Sequence, residues 1–239
     1  MNRSMMLPRG WYPDNREEIA SFIGDSKSLK GEGLSAAALS PHAGWYYSGR
    51  TACLSFKALK KNIDTIVIIG GHLGANSPFL YADEDGINTP LGTMSTDKEL
   101  LKFLTLLEQP ISPDSYRDNT VEVLLPMAHY FYLDAKLLWL RFPANISSYN
   151  AGKKLAEYAK EINRKIVVIG STDLTHYGSN YGFSSHGFGV DAYKWVKEVN
   201  DANFIKAVLS GDPRAVLERA ENNFSSCSAG AVLGAMGFA

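Results

Sequence analysis

Short apolar runs alternate with amphipathic stretches along most of this chain. The runs lie at residues 64–69 (DTIVII), 136–142 and 165–170 (KIVVIG), with a smaller run at 34–39. Short continuous apolar runs of this length are typical of strands that are buried on both faces, as in parallel sheets. We therefore predict four core strands.

Helical spacing of apolar residues fills most of the intervals between these runs. We predict helices at 16–23, 49–61, 95–107, 119–132, 150–162, 191–209 and 213–220. In the third of these, Thr96 and Glu99 fit a capping box. In the fourth, Pro126 interrupts the helix. Strands interleaved with helices predict an α/β fold with a mainly parallel central sheet and helices on both faces. No linker or repeat divides the chain, so we predict one domain over residues 1–239.

Composition narrows the functional classes. The net charge is −1 and no basic cluster stands out, which argues against a nucleic-acid partner. No apolar run approaches the ~20 residues of a membrane helix, and the N-terminal residues do not form a signal peptide. The two cysteines, Cys53 and Cys227, are expected to be reduced thiols. We expect a cytoplasmic protein without a membrane partner.

Three polar clusters directly follow predicted strands, and each contains a histidine. His42 lies in residues 40–49 (SPHAGWYYSG), His72 follows two glycines, and His176 lies in residues 170–178 (GSTDLTHYG). Ligands in parallel α/β sheets gather beyond the carboxyl ends of the strands, so these clusters are expected to converge. Imidazole binds zinc, iron and copper. His42 and His72 are therefore two candidate ligands of an open, catalytic-type metal site.

The third ligand and the remaining roles stay open at this level. Glu122 and Cys227 are the candidates for the third ligand, but Glu122 also fits a solvated helix face and Cys227 a small core residue. A histidine after a strand can serve as a hydrogen-bonding residue, and Asp173 can cap the following turn. The aromatic residues Trp11, Trp45 and Tyr46 fit either a ligand pocket or ordinary packing. The chain has no GxGxxG, GxxxxGK[ST], GxSxG or HExxH motif, which leaves the corresponding nucleotide-binding, hydrolase and metalloprotease chemistries unsupported.

Seven segments, in order, resemble the Memo family, whose prokaryotic members are called AmmeMemoRadiSam system protein B. The segments are RGWYP (9–13), PHAGWYYSG (41–49), GGH (70–72), TPLG (89–92), VEVLLP (121–126), STDLTHYG (171–178) and the region of Cys227. The resemblance spans nearly the whole chain. It implies the fold of the class III extradiol dioxygenases of the protocatechuate type, in which two histidines and a glutamate bind Fe(II).

The resemblance also implies the site. His42, His72 and Cys227 correspond to the family's metal site, and Asp173 and His176 correspond to residues that line the same pocket. Fe(II) is the expected metal, with copper or zinc as alternatives. We expect His176 to transfer protons and Asp173 to orient it, in a metal-dependent, dioxygenase-like oxidoreductase.

The chain departs from the family pattern at three places. Asn119 replaces a pocket histidine, Ser228 follows Cys227 where glycine is usual, and the chain ends at Ala239, earlier than is usual for the family. Because asparagine cannot take up a proton, a non-catalytic module that binds a peptide or small molecule is an alternative function, and a zinc-dependent hydrolase is another. The family name further implies a radical-SAM protein and an AMMECR-type protein as partners.

Overall fold

The central feature of the computed structural model, which describes residues 1–25 and 33–239, is a mainly parallel sheet. Within these residues the sheet has six strands, which are β2 Ala37–Ser40, β3 Thr65–Gly70, β4 Phe79–Tyr81, β7 Ile111–Pro113, β8 Lys136–Arg141 and β9 Ile166–Ser171. They stand in the order β2-β9-β3-β8-β4-β7, and every neighbouring pair is parallel except β4 with β8. The four predicted core strands are confirmed as β2, β3, β8 and β9.

Helices cover both faces of this sheet. Their bounds are α1 Arg16–Asp25, α2 Trp45–Ala58, α3 Asn119–Glu122, α4 Leu125–Phe131, α5 Ile146–Glu161, α6 Val190–Trp195, α7 Ala202–Leu209, α8 Pro213–Asn223 and α9 Ala229–Phe238. A π-helical segment, Val196–Asp201, joins α6 to α7. The predicted α/β fold with helices on both faces is confirmed.

Side-chain alternation along the buried strands separates two hydrophobic cores. Ile66 and Ile68 of β3 face a core with α1, α2 and α4, whereas Val67 and Ile69 face a core with α5 and α9. Period-two alternation sends successive side chains to opposite faces, so one apolar run supplies both cores. This double burial explains why the strands read as continuous apolar segments.

A second, small sheet holds the N-terminal residues. It consists of β1 Asn2–Arg3, β5 Gly86–Thr89 and β6 Gly92–Ser95, in the order β1-β5-β6. The segment that follows β1 is held by Glu122, whose carboxylate accepts hydrogen bonds from the backbone of Met6 and Leu7 and from the Tyr12 hydroxyl.

The prediction of an α-helix over residues 95–107 was wrong. Ser95 ends β6, and a 3-10 helix occupies only Leu100–Leu106. The capping box does not form, because the Thr96 hydroxyl donates to the Glu84 carbonyl and Asp97 instead accepts from the Leu100 N–H. Strand pairing therefore prevails over the capping signal in this segment.

Two other elements also differ from the prediction. The helical region 119–132 divides into α3 and α4 before Pro126, as its missing N–H favours a helix start at this point. Helix α9, which the spacing of residues 229–238 did not indicate, is apolar all round because it is buried between the sheet, α5 and α8. None of the helices in the described part of the chain is long and apolar enough to span a membrane.

Candidate metal centre

Three neighbouring parallel strands bring the polar clusters together. β2, β9 and β3 lie side by side, and His42, Asp173 and His72 each stand two residues beyond the end of one of them. Because the strands are parallel, their carboxyl ends meet at one edge of the sheet. The expected convergence of the three clusters therefore occurs.

His42, His72 and Cys227 form a compact group of metal-binding side chains. One donor atom from each lies within 4.8 Å of the other two, and His42 Nε2 is 3.2 Å from Cys227 Sγ. The two imidazole rings stand nearly perpendicular, with their centroids 5.0 Å apart. His42 is buried, whereas His72 is partly open to solvent. This is a His₂Cys donor set with an accessible side, as a catalytic metal site requires.

Each histidine is oriented through its other ring nitrogen. His42 Nδ1 lies 2.9 Å from the Ser171 hydroxyl, and His72 Nδ1 lies 3.0 Å from Asp118 Oδ2. Metal-binding histidines nearly always have such a partner, which sets the tautomer and the ring orientation. The residues present therefore fit a bound metal ion in both donor chemistry and support.

Cys227 reaches the site from the loop before α9. Its N–H donates to the Asp173 carbonyl over 3.2 Å, and the Asp173 N–H lies 3.3 Å from Sγ. Burial raises the pKa of the Cys227 thiol, but hydrogen bonds with His42 and His72 outweigh burial and lower the pKa to about 5. The sulfur is thus held as a thiolate, which is the form that binds a metal.

A buried ion network supports His72. The Arg141 guanidinium lies 3.2 Å from Asp118 Oδ2 and 3.3 Å from Asp114 Oδ1, and its Nε donates to the Gly71 carbonyl. Burial raises the pKa of Asp118, but its bonds with His72 and Thr120 and the nearby Arg141 lower it to about 2. Burial lowers the pKa of His72, but its bonds with Asp118 and Cys227 raise it to about 9.

The backbone before His72 passes very close to two neighbouring elements. A Cβ atom on Gly70 would overlap the Thr120 side chain, and one on Gly71 would overlap Ser228, which adjoins Cys227. His72 itself has a positive φ of 56°, a conformation that costs energy in a non-glycine residue. The two glycines therefore let His72 approach the loop that carries Cys227.

Asp173 and His176 lie beside this centre. Asp173 Oδ1 accepts from the His42 N–H over 2.8 Å, and Oδ2 lies 3.6 Å from His176 Nε2. Contact with the Asp173 carboxylate raises the pKa of His176. Burial raises the pKa of Asp173, but its contacts with His176 and His42 outweigh burial and lower it. The pair suits an imidazole that exchanges protons next to a carboxylate that orients it.

The five residues suggested for the substrate pocket have different surroundings. Asn119 Nδ2 donates to the His42 carbonyl over 3.0 Å, so Asn119 adjoins the centre. Trp45 is buried in the core and donates its ring N–H to the Val123 carbonyl, and Trp11 packs partly against the same core. Tyr46 is 88% exposed. Glu122 does not face the centre. Its carboxylate accepts the hydrogen bonds described above and so holds the N-terminal segment.

Sequence reasoning missed the supporting residues Asp118 and Arg141. Asp118 carried one local signal, since it precedes a helix and its side chain caps α3 by accepting from the Thr120 N–H. Arg141 carried no local signal, because the aspartates that pair with this arginine at the end of a buried strand are distant in the sequence.

These features define an α/β protein with a candidate His₂Cys metal centre at the carboxyl ends of parallel strands. The chain belongs to the Memo family: the sequence model of that family, described as Memo-like protein, matches residues 3–237. The family resemblance predicted from the motifs is confirmed.

Relatives match over most of the chain. A MEMO1 family protein of Pyrococcus furiosus is 30% identical over 97% of this chain and 85% of its own length. One of Pyrococcus abyssi is 30% identical over 93% of this chain and 82% of its own, and one of Methanococcoides burtonii is 33% identical over 82% and 70%. An uncharacterized protein from Escherichia coli K12 is structurally similar over 77% of this chain and 78% of its own, with a TM-score of 0.43 and 14% identity.

Proposed function

We propose that this chain is a metal-dependent redox enzyme in which His42, His72 and Cys227 hold Fe(II) or copper. The observation that carries the proposal is the group of three donor atoms within 4.8 Å, with both imidazoles anchored through their other nitrogen. A thiolate in the donor set favours a softer metal than three hard oxygen ligands would. When bound, such a metal supplies a Lewis-acidic, redox-active centre with positions open to a substrate.

The chain's own residues supply the proton chemistry. His176 is partly exposed, and its Nε2 faces the Asp173 carboxylate, so it can accept or deliver a proton at the pocket. Asp173 orients His176 and also fixes the backbone of His42 through the bond to the His42 N–H. One carboxylate thereby couples the position of a metal ligand to that of the acid/base.

Metal analysis of protein produced and purified without oxygen tests the proposal. We expect about one iron or copper per wild-type chain and less than ~0.2 per chain in His42→Ala, because the loss of one of three ligands leaves an incomplete site. His186→Ala, which removes a histidine outside the donor group, should keep the wild-type metal content. Wild-type protein with less than ~0.2 metal per chain, unchanged in His42→Ala, would refute the proposal.

The identity of the bound metal and ligand-binding measurements on two variants separate the alternatives. Zinc as the sole stoichiometric metal, in protein that shows no redox activity, would favour a hydrolase in which His176 acts as general base. A peptide or small-molecule ligand that binds equally well to His42→Ala and His72→Ala would favour a binding module. Asn119 supports the latter option, because its amide is engaged with the His42 carbonyl and cannot exchange protons.

Metal affinity should rise with pH because of His72. The imidazolium, with its pKa raised to about 9, must lose its proton before it binds a metal, whereas Cys227 is already a thiolate above about pH 5. We expect the affinity to rise about tenfold per pH unit between about pH 7 and 8.5. Competition with a chelator of known affinity measures it. Asp118→Asn should flatten the slope, because the carboxylate that raises the pKa of His72 is gone. A flat wild-type profile would contradict this assignment.

A further inference from the structure

A π-helical turn, Val196–Asp201, lies within the continuous helical stretch from α6 to α7. Its backbone N–H groups bond one residue further back than in an α-helix, so the turn contains an extra residue. Such turns are rare and occur frequently at functional sites. The last two residues of this turn, Asn200 and Asp201, both contact the loop that carries Asp173 and His176. The turn is therefore a candidate support of that loop.

Thr175, the residue before His176, receives both of these contacts. Its backbone N–H and its hydroxyl both donate to Asp201 Oδ1, over 3.1 and 2.5 Å. Its hydroxyl oxygen also accepts from the side-chain amide of Asn200 over 2.9 Å. A hydroxyl that donates once and accepts once is held in one rotamer. The backbone that leads into His176 is thereby fixed to the π-helical turn.

Asn200 links this loop to a second one. It is 4% exposed, and its amide carries two N–H donors. The amide donates to the Thr175 hydroxyl and, over 2.9 Å, to the Asn223 carbonyl. Asn223 is the last residue of α8 and lies four residues before Cys227. One buried side chain therefore joins the loop that leads to His176 to the loop that leads to Cys227.

The exit from α8 needs such a restraint. Phe224, directly after Asn223, has φ 50° and ψ 34°, a left-handed conformation that costs energy in a non-glycine residue. Strain of this kind persists where the surroundings hold it in place. The bond from Asn200 to the Asn223 carbonyl restrains the chain at this point, just before it reaches Cys227.

The turn that carries Asn200 is itself firmly held. Phe204 of α7, four residues further on, is fully buried in a core with Val232 and Leu233 of α9. Asn200 therefore projects from a packed helix and not from a loop. Precise placement of a site requires support from rigid elements of this kind.

The two loops also meet close to the metal centre. The Cys227 N–H donates to the Asp173 carbonyl over 3.2 Å, and the Thr172 hydroxyl lies 2.8 Å from the Ser226 hydroxyl. These are the inner contacts between the loops, and the bonds of Asn200 are the outer ones. Movement of either loop is thus limited at both places.

We propose that Asn200 is a positioning residue that fixes Cys227 and His176 relative to one another by joining their loops through Thr175 and the Asn223 carbonyl. The roles of Cys227 as a metal ligand and of His176 as the acid/base rest on the proposed function above. The bonds that join the two loops do not depend on it.

Alkylation of Cys227 tests this proposal in full-length protein that has been treated with a chelator. Iodoacetamide is added at about pH 8, where the rate for an ionised thiol follows its accessibility, and peptide mass spectrometry identifies the modified cysteine. Asn200→Leu keeps a buried side chain but removes both donors. We expect Cys227 to react about tenfold faster in this variant, because its loop opens more often once these bonds are lost. Cys53, which is fully buried, should stay unmodified as long as the protein is folded.

Substitutions at Thr175 supply a conservative rescue. Thr175→Val removes the hydroxyl that orients the Asn200 amide and should speed the alkylation of Cys227 at least about threefold. Thr175→Ser keeps the hydroxyl and should stay within about twofold of wild type. Asn150→Leu makes the same change as Asn200→Leu at an exposed position of α5 and should leave the rate unchanged.

Three results would overturn the proposal. They are an unchanged Cys227 rate in Asn200→Leu, an equal increase in Asn150→Leu, and Thr175→Ser behaving like Thr175→Val. Modification of Cys53 would show that Asn200→Leu unfolds, and the milder pair of Thr175 variants then decides.

Metal binding gives a second readout, which a merely structural asparagine would not change. Co²⁺, followed by its absorption bands, should bind about 5- to 10-fold more weakly to folded Asn200→Leu than to wild type, because Cys227 is less well placed. A lower Tm with unchanged Co²⁺ affinity would reduce Asn200 to a structural role and refute the proposal. If the wild type itself bound no Co²⁺, the metal centre would be refuted, and the alkylation of metal-free protein would still decide the role of Asn200.

Discussion

Replacing Arg141 with methionine is expected to lower the free energy of unfolding by about 3–5 kcal/mol at pH 7. Arg141 is 4% exposed and lies between the carboxylates of Asp114 and Asp118. Its removal leaves the buried Asp114 carboxylate without its salt-bridge partner and Asp118 with His72 as its remaining cationic partner, and breaking a buried ion pair on one side costs this much. Urea unfolding measures the change. Lys136→Met, with the same charge change at the exposed start of the same strand, should stay within ~0.5 kcal/mol of wild type.

The cost of this substitution should shrink as the pH falls. In the wild type, the Asp118 pKa of about 2 lies below its ordinary value of 3.8, so its contribution to stability is present above about pH 3.8 and is lost as the pH falls towards 2. Without Arg141, the Asp118 carboxylate lacks one of the contacts that lower its pKa, so the wild type loses more stability than the variant as the pH falls towards 2. The penalty should therefore be smaller at about pH 2.5 than at pH 7. A penalty that grows on acidification would contradict the network described here.

Gly71→Ala is expected to damage both the fold and the metal centre. A Cβ atom at this position would lie 2.8 Å from Ser228 Cα and closer still to the Ser228 side chain, so the loop that carries Cys227 must shift. Overpacking of this kind costs about 2–3 kcal/mol, which corresponds to a Tm about 5–10 °C lower. Metal affinity should fall at least about tenfold, because His72 and Cys227 move apart.

Gly74→Ala is the matched control for this prediction. It lies three residues further along the same loop, and the nearest atom to an added Cβ is Ser77 Oγ at 4.0 Å, an ordinary contact. Thermal unfolding and chelator competition on both variants measure the difference. If the two variants bound metal equally well, the prediction that the close approach of Gly71 to Ser228 is needed for the metal centre would be wrong.

Local pattern was sufficient to predict four of the six strands of the main sheet and two of the three donor residues. The runs at residues 64–69 and 165–170 are apolar on both faces, and only a strand covered on both sides explains that pattern. Parallel strands must end at a common edge, so His42 and His72 could be paired before any contact was known. The motifs that surround them carried the family resemblance and, through it, Cys227.

Spacing alone could not have paired Cys227 with the histidines, because 185 residues separate it from His42. The choice between Glu122 and Cys227 depends on the place of each in the fold. Glu122 faces the N-terminal segment, where two backbone N–H groups and the Tyr12 hydroxyl donate to its carboxylate, whereas Cys227 lies beside both histidines. Burial and partner geometry decide such a choice, and neither is visible in the order of residues.

The sequence by itself thus determined the α/β class, the core strands and the edge of the sheet at which chemistry collects, because these depend on periodicity and chain direction. Only the tertiary structure decided the remaining features: that Asp118 and Arg141 support His72, that Trp45 packs in the core, and that Cys227 lies beside both histidines. Each of these depends on contacts between segments far apart in the chain. Such contacts are selected by packing and charge compensation in the folded protein, and local residue order does not encode them.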